Sequence, residues 1–514
     1  MIEKNDFTTL NGQEYQEITA YDRLRMPRHS MDWSNVPHQI KSYPALPTVL
    51  LDKEVGLTEK PFWQVMQGAI SPLRMTTFDI PSLSAVLGLA YGYTARQRAG
   101  SQTYLYRSAP SAGALYPVEV YFSGESIAGL QPGLFHYNIQ DFSLQQLRGE
   151  DAIASIAAAL GTPKSVSAWA SFIISGIFFR SAWKYRKRAF RYVLLDTGHL
   201  LENLVSSLAY MGVTCSVRYD FDDERLCSLV GLDRHKEAGF AIVDVHLDKT
   251  RDSIEPTGSS VEPPVALDAG VMGAGRVSSR EKTYEAIEGI YHTSSELRKP
   301  GHPGGNVSLV TLPEPQEWYP VRHQDVKVRE ADFAGVVQGR RSRRNFVREP
   351  IPVRSFMNLL SLVGTVPSSD ISVEPCVAPV TTGFIVGHVE GFDQGFYQLA
   401  YEDRAYGLLK SGSYVEAMAG VCLDQLWLAN AGALFLFMTN LKTLDDAYGA
   451  RGYRYAMMDA GRLGQRLYLG STALGLGCCG IGAFYDHEAR SLLDLNDDSY
   501  LLYLVAVGNI KKQN

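Results

Sequence analysis

Between residues 339 and 346 the chain reads GRRSRRNF, which puts four arginines and a serine into five consecutive positions, Arg340, Arg341, Ser342, Arg343 and Arg344. Guanidinium forks and a hydroxyl at this density can pair with phosphate oxygens, making the segment a candidate anion site. On charge alone, a solvated basic helix end accounts for it equally well. A second candidate is RSAPSAGALYPVEVYF (107–122). Pro110, Ser111, Ala112 and Gly113 combine small side chains with a glycine's conformational freedom, which lets main chain approach a flat ligand. Taken by itself this is a loop entering a strand. The segment WKYRKRAFRY (183–192) carries Lys184, Arg186, Lys187, Arg188 and Arg191, which by residue type is a run of solvated cations. Asp196, His199 and Glu202 follow at one-turn intervals, a spacing that a metal could use.

The elements that must position these residues come from a self-comparison. RAFRYVLLDTGHLLENLVSSLAYMGVTCSV begins at Arg188, and RGYRYAMMDAGRLGQRLYLGSTALGLGCCG begins at Arg451. The offset of 263 places Cys215 on Cys478 and Phe221 on Phe484 without a gap, and it carries GFAIVDVHL onto YLLYLVAVGNI. A single long repeat reads as a duplicated domain. Asp459 and Arg462 fall where Asp196 and His199 stand, which breaks the metal spacing; a hydrogen bond between helices is expected there, and no metal.

EPTGSSVEPP (255–264) and KPGHPGGNV (299–307) have the composition of linkers, with SSREKTYEAIEGIYHTSSEL between them as a candidate amphipathic helix. The expected organisation is an N-terminal arm (1–59), a first domain (60–250), a linker (251–324) and a second domain (325–514). VEVYF (118–122), SFIISGIFF (171–179) and AIVDVHL (241–247) are strand candidates by β-branched and aromatic content. FMNLLSLVG (356–364) has helical spacing, and Asp196–Met211, apolar on most sides, predicts a buried helix at a core or domain interface. Strands and helices without a regular βαβ rhythm predict an α+β fold.

With 514 residues, 45% of them hydrophobic, the chain can build two or three cores. A formal charge of −6 argues against a general nucleic-acid binder. Six cysteines without a Cys-x-x-Cys pair weaken zinc and dithiol readings. The N-terminus lacks an apolar signal region, and no run approaches the roughly 18 apolar residues of a membrane span. A cytoplasmic globular protein is expected.

Together, RRSRRNF, PSAGALYPVEVYF, WKYRKRAFRYVLLDTGH and ALGLGCCGIGAFYD resemble the nitroreductase-like flavoproteins, most closely their SagB/ThcOx-type dehydrogenase branch. The lead segment EYQEITAYDRLRMPRHSMDWSNVPHQIKSYP, with Asp32-Trp33 at its centre, resembles that branch as well. The resemblance implies an α+β flavin-reductase fold that dimerises and holds FMN between subunits. One subunit supplies the Arg-Ser cluster and the Gly-rich loop; the other supplies the PSAG loop.

Here the two copies have diverged in complementary fashion. The first has PLRMT (72–76) at the cluster position, and Val217 and Arg218 where the second has Gly480 and Ile481. The second has CVAPVTTG (376–383) at the PSAG position. The retained halves imply an intramolecular pseudo-dimer with one FMN per chain; further association is left open. In this scheme Arg344 with Arg340 or Arg341 meets the phosphate or the isoalloxazine. Ser342 donates to a ribityl or phosphate oxygen, and Gly480, Ile481 and Gly482 present backbone to the flavin. Cys478 and Cys479 are expected to be packed rather than catalytic. Lys184-Tyr185 matches the dipeptide that azoline-oxidising relatives place beside the flavin, and the offset finds Ala447 and Tyr448 instead. A tyrosine acidified by the neighbouring ammonium would then remove a proton while hydride leaves the substrate. The implied reaction is oxidation of an azoline in a small-molecule or peptide-like substrate, with O2 reoxidising the flavin. An NAD(P)H-dependent nitro- or quinone reductase and a non-catalytic binding scaffold are the alternatives.

Overall fold

The structure, a computed structural model, describes residues 7, 9–26, 30–68, 78–100, 102–125, 127–152, 156, 159, 169–246, 267–297, 310–322, 331–364, 380–401 and 403–511. Both linker stretches, PLRMT (72–76) and the segment 376–379 lie outside them.

Two seven-stranded antiparallel sheets repeat one topology. In the first, the spatial order is Thr48–Leu50, Ser143–Arg148, Gly133–Asn138, Val118–Gly124, Ala170–Ile177, Glu237–His246 and Thr214–Arg218. The second runs Trp318–Pro320, Ala405–Ser411, Gly395–Ala400, Thr381–Val386, Ala433–Asn440, Ser499–Gly508 and Gly477–Ile481. The expected α+β duplication is therefore present at the level of strand order. The strand expected over 171–179 ends at Ile177, and Phe178 opens the helix Phe178–Tyr185. Phe178 and Phe179 are buried helix residues whose aromatic character mimics a strand.

Each sheet is covered by one long helix, Ala189–Met211 in the first copy and Arg451–Ala473 in the second. Both are buried on nearly every side, as a helix wedged between a sheet and a partner must be. They cross at Gly198 and Gly461, equivalent residues under the 263 offset. A Cβ on Gly198 would overlap the Met458 carbonyl oxygen and lie 2.9 Å from Gly461 Cα. A Cβ on Gly461 would overlap the Leu195 carbonyl oxygen, and Leu195 and Met458 are again equivalents. Such self-matching contacts define an isologous interface, so a pseudo-two-fold axis passes through this crossing.

The buried ion pairs obey the same symmetry. Arg188 and Arg191 of the first copy each pair with Asp486 at 2.7 Å, while Arg451 and Arg454 of the second each pair with Asp223 at 2.6 Å. Removing one partner of such a pair strands a buried charge at a cost of about 3–5 kcal/mol. The arm joins the halves further. Its helix Gly12–Ile18 directs the Gly12 and Gln13 amides at Asp445, and Thr48–Leu50 extends the first sheet. One apolar core runs continuously through both copies, from Leu10 to Val507. Among the described residues no helix is long and apolar enough to cross a membrane.

Candidate functional site

One cleft collects residues from both halves. The first copy contributes Pro110, Ser111, Ala112 and Gly113 together with Tyr185, Tyr192, Asp196 and His199. The second contributes Ser342, Arg344, Trp427, Tyr468, Cys479, Gly480, Ile481, Gly482 and Tyr503.

The PSAG loop is pinned by the central helix behind it. Asp196 accepts from Ser111 Oγ at 2.5 Å and from the Ala112 amide at 3.1 Å, and Ser111 Oγ in turn accepts from the Tyr116 amide at 2.8 Å. Burial raises the Asp196 carboxyl to about 7, against the pull of these two hydrogen bonds. Gly113 has a φ of 66°, and a Cβ there would meet Tyr185 Oη at 2.9 Å and Lys184 Nζ at 3.0 Å. The tips of Lys184 and Tyr185 therefore hang directly over the loop.

The opposite wall is the Gly-rich strand end, held by both halves. The Gly480 amide donates to Tyr468 Oη at 2.8 Å, and Ser342 Oγ lies 2.9 Å from the same oxygen. The Gly482 carbonyl accepts from Tyr192 Oη and Arg188 Nη2, each at 3.1 Å. A Cβ on Gly480 would overlap Tyr503 Oη, and one on Gly482 would lie 2.7 Å from Tyr192. At both glycines a tyrosine of the wall takes the place a side chain would need. Tyr503 Oη bonds His199 Nε2 at 2.9 Å, and His199 Nδ1 bonds Gln465 Oε1 at 2.9 Å. Burial lowers His199 to about 3, so this inter-helix bridge is made by a neutral imidazole.

The arginine cluster divides its labour. Arg340 is buried, donating to the carbonyl oxygens of Ser108 at 2.6 Å and Arg107 at 3.0 Å. Arg341 reaches Thr94, donating to its Oγ1 at 3.1 Å and its carbonyl at 2.7 Å. Both are second-copy cations gripping the first copy just ahead of the PSAG loop, and neither lines the cleft. Ser342 and Arg344 do line it, and both are exposed there. Among the described residues no carboxylate lies in ion-pair range of Arg344; its guanidinium stands 5.8 Å from the Trp427 ring centroid. Cys478 and Cys479 are buried, and the Cys479 thiol, raised by burial, lies beside Arg344.

Across the cleft the environments of Lys184 and Tyr185 differ in sign. Desolvation and the facing Arg344 lower the Lys184 ammonium, whereas desolvation and Asp196 raise the Tyr185 phenol. Burial thus works against the expected acidification of the tyrosine, and it shifts the lysine toward its neutral form. Residue types announce neither direction, because burial sets both.

The residues related by the pseudo-axis to Gly482 and His199 are bulkier or charged. Tyr219 is the equivalent of Gly482, and it is buried against Tyr455, the equivalent of Tyr192, at 5.8 Å between ring centroids. Arg462, in the place of His199, pairs with Glu202 at 2.9 Å, as does Arg466 at 2.7 Å. Where the first cleft has glycine and a neutral imidazole, its mirror has a phenol ring and an ionic cluster.

A duplicated α+β reductase fold with a cleft lined by both copies is the class that this architecture defines. The profile described as "Nitroreductase family" matches residues 82–243 and 337–509, and the chain belongs to that family of oxidoreductases. A protein from Anabaena variabilis designated a nitroreductase shares the whole architecture. The two superpose with a TM-score of 0.77 at 26% identity, over 97% of this chain and 99% of that one. A protein of Methanocaldococcus jannaschii, also designated a nitroreductase, is 27% identical over 208 residues, 40% of this chain and 98% of its own length. The trifolitoxin-processing protein TfxB of Rhizobium leguminosarum bv. trifolii is 28% identical over 149 residues, 28% of this chain and 40% of TfxB.

Proposed function

We propose that the chain is an FMN-dependent dehydrogenase of the SagB/ThcOx type, with one FMN between its halves, that oxidises an azoline in a peptide-like substrate to an azole. The observation carrying this reading is the convergence of Tyr185 and the PSAG loop from one copy with Arg344, Ser342 and the Gly480–Gly482 strand from the other, with the Lys184 tip against Gly113 of that loop.

The residues fit the group. Arg344 is a cation exposed to the cleft without a carboxylate among the described residues, suited to a phosphate dianion or an electron-rich ring. Gly113, Gly480 and Gly482 let the main chain pack directly against Tyr185, Tyr503 and Tyr192, and with Trp427 these bound the cleft by backbone and aromatic side chains suited to a flat ring system. Ser342 is placed to donate a hydrogen bond to the phosphate or ribityl chain. Arg340 and Arg341 act at one remove, clamping the two halves that form the walls.

Bound FMN supplies the two-electron acceptor for the hydride. The azoline loses that hydride from one ring carbon and a proton from its neighbour, and the ring gains a double bond. Lys184, lowered by desolvation, takes the proton; Tyr185 stays protonated and donates a hydrogen bond to the substrate. The similarity to a protein named for trifolitoxin processing supports a peptide substrate.

Lys184→Ala is expected to purify with full flavin and to lose turnover on an azoline peptide by about 100-fold or more. Turnover unchanged by the substitution removes the lysine from the reaction. Anaerobic mixing with NADPH tests the class itself: slow bleaching of the flavin agrees with the dehydrogenase, and rapid bleaching assigns a nitro- or quinone reductase.

A further inference from the structure

A second and larger hollow opens beside the cleft, between the arm and the turn that follows the Lys184-Tyr185 helix. Its walls include Ile18, Tyr21, Arg25 and Met26 from the arm and Tyr185, Arg186 and Lys187 from the turn. Tyr185 lines both spaces, so the hollow leads to the place where Lys184 and Tyr185 meet the PSAG loop.

The charge on these walls is one-sided. Glu17 is engaged by Tyr500 Oη at 2.7 Å and has His487 Nε2 at 3.5 Å, while Asp22 accepts the Leu24 and Arg25 amides at 2.8 and 3.2 Å. Arg188 is consumed by Asp486. Arg25, Arg186 and Lys187 are exposed on the rim, and among the described residues neither Arg186 nor Lys187 has an acidic partner. On a chain of net charge −6 this is a local reversal of sign.

Arg186 also has a backbone that its side chain does not favour. Its φ is 52° with ψ −136°, and the 263 offset pairs it with Gly449, which has nearly the same conformation at φ 61° and ψ −163°. The fold needs this turn in both copies, and the second copy makes it with glycine. Retaining arginine in a glycine conformation costs stability, and such strain persists where the side chain has work to do.

We infer that this hollow is the seat of the substrate's flanking segment, a peptide bearing carboxylates, which Arg186 and Lys187 hold. The inference rests on the peptide-oxidising reading above. Adjacent cations at the turn with apolar Ile18 and Met26 on the arm suit an extended chain rather than a compact phosphate.

The test is fluorescence anisotropy on the full-length protein, with a fluorescein-labelled Glu-Ser repeat peptide against its Gln-Ser counterpart. The acidic peptide is expected to bind more tightly, with an affinity that falls as salt rises. Arg186→Gly with Lys187→Ala should weaken it about tenfold. Arg186→Lys should retain most of the binding. Arg186→Gly alone should hold or raise the melting temperature, which separates lost binding from lost folding. Equal binding of the two peptides overturns the inference, as does indifference to the double substitution. Displacement of the bound peptide by NADPH assigns the hollow to a dinucleotide instead. Because binding is read without turnover, failure of the azoline chemistry leaves this outcome separately visible.

Discussion

Gly480→Ala probes the cleft at the point where space is tightest. The added methyl would overlap Tyr503 Oη and lie 2.6 Å from its Cζ, inside any real contact distance. Tyr503 is 6% exposed and cannot swing into solvent, so its ring must move within the core and release His199 Nε2. Overpacking of this kind costs about 1–3 kcal/mol, and a buried imidazole nitrogen left without a partner costs about 1–3 kcal/mol more. A loss of about 2–6 kcal/mol follows, together with displacement of the strand end that lines the cleft. Thermal unfolding should register a drop of several degrees, and flavin absorbance per polypeptide should fall well below that of the parent. Val217 is the control, because it already carries a side chain at the equivalent position. Val217→Ala should leave flavin content unchanged. A Gly480→Ala protein with parental stability and full flavin would refute the reasoning, as would loss of flavin in Val217→Ala.

Further outcomes follow from the same geometry. Arg344→Ala should strip flavin from the purified protein, because it removes the cation that faces the cleft without a carboxylate; full occupancy would reject that role. Stability should also depend on pH through the buried acids. Asp196 is pushed up to about 7 and Asp459 to about 6, both from an ordinary 3.8, so the folded state holds these protons more tightly than the unfolded chain. Their contribution is therefore present in acid and is lost as pH rises through the interval from about 4 to 7. Asp196→Asn should flatten that part of the melting-temperature profile, and an unchanged slope would show that Asp196 does not titrate there.

Much of this organisation is legible in the sequence because duplication leaves a register. The 263 offset carries the strand order, the long helices and the cross-paired arginines, and it locates the pseudo-axis at two glycines. A glycine inside a helix is unfavourable by about 1 kcal/mol relative to alanine, so Gly198 and Gly461 at matched positions were a readable sign of close helix approach. Tyr219 opposite Gly482 is legible in the same way, as a ring standing where the other copy has no side chain. What residue types do not encode is direction. Arg340 and Arg341 belong to a phosphate-like cluster by composition, yet they turn to carbonyls of the other copy. Nor does the dipeptide Lys184-Tyr185 reveal which member keeps its proton, since that depends on the walls other segments build around it.

The central claim concerns one cleft assembled from unlike halves, and a count of cofactors addresses it most directly. Flavin released from denatured protein, quantified against polypeptide and identified by mass, should give one FMN per chain. Two FMN per chain would contradict the account, because the mirror position would then hold cofactor despite Tyr219 and the Glu202–Arg462–Arg466 cluster.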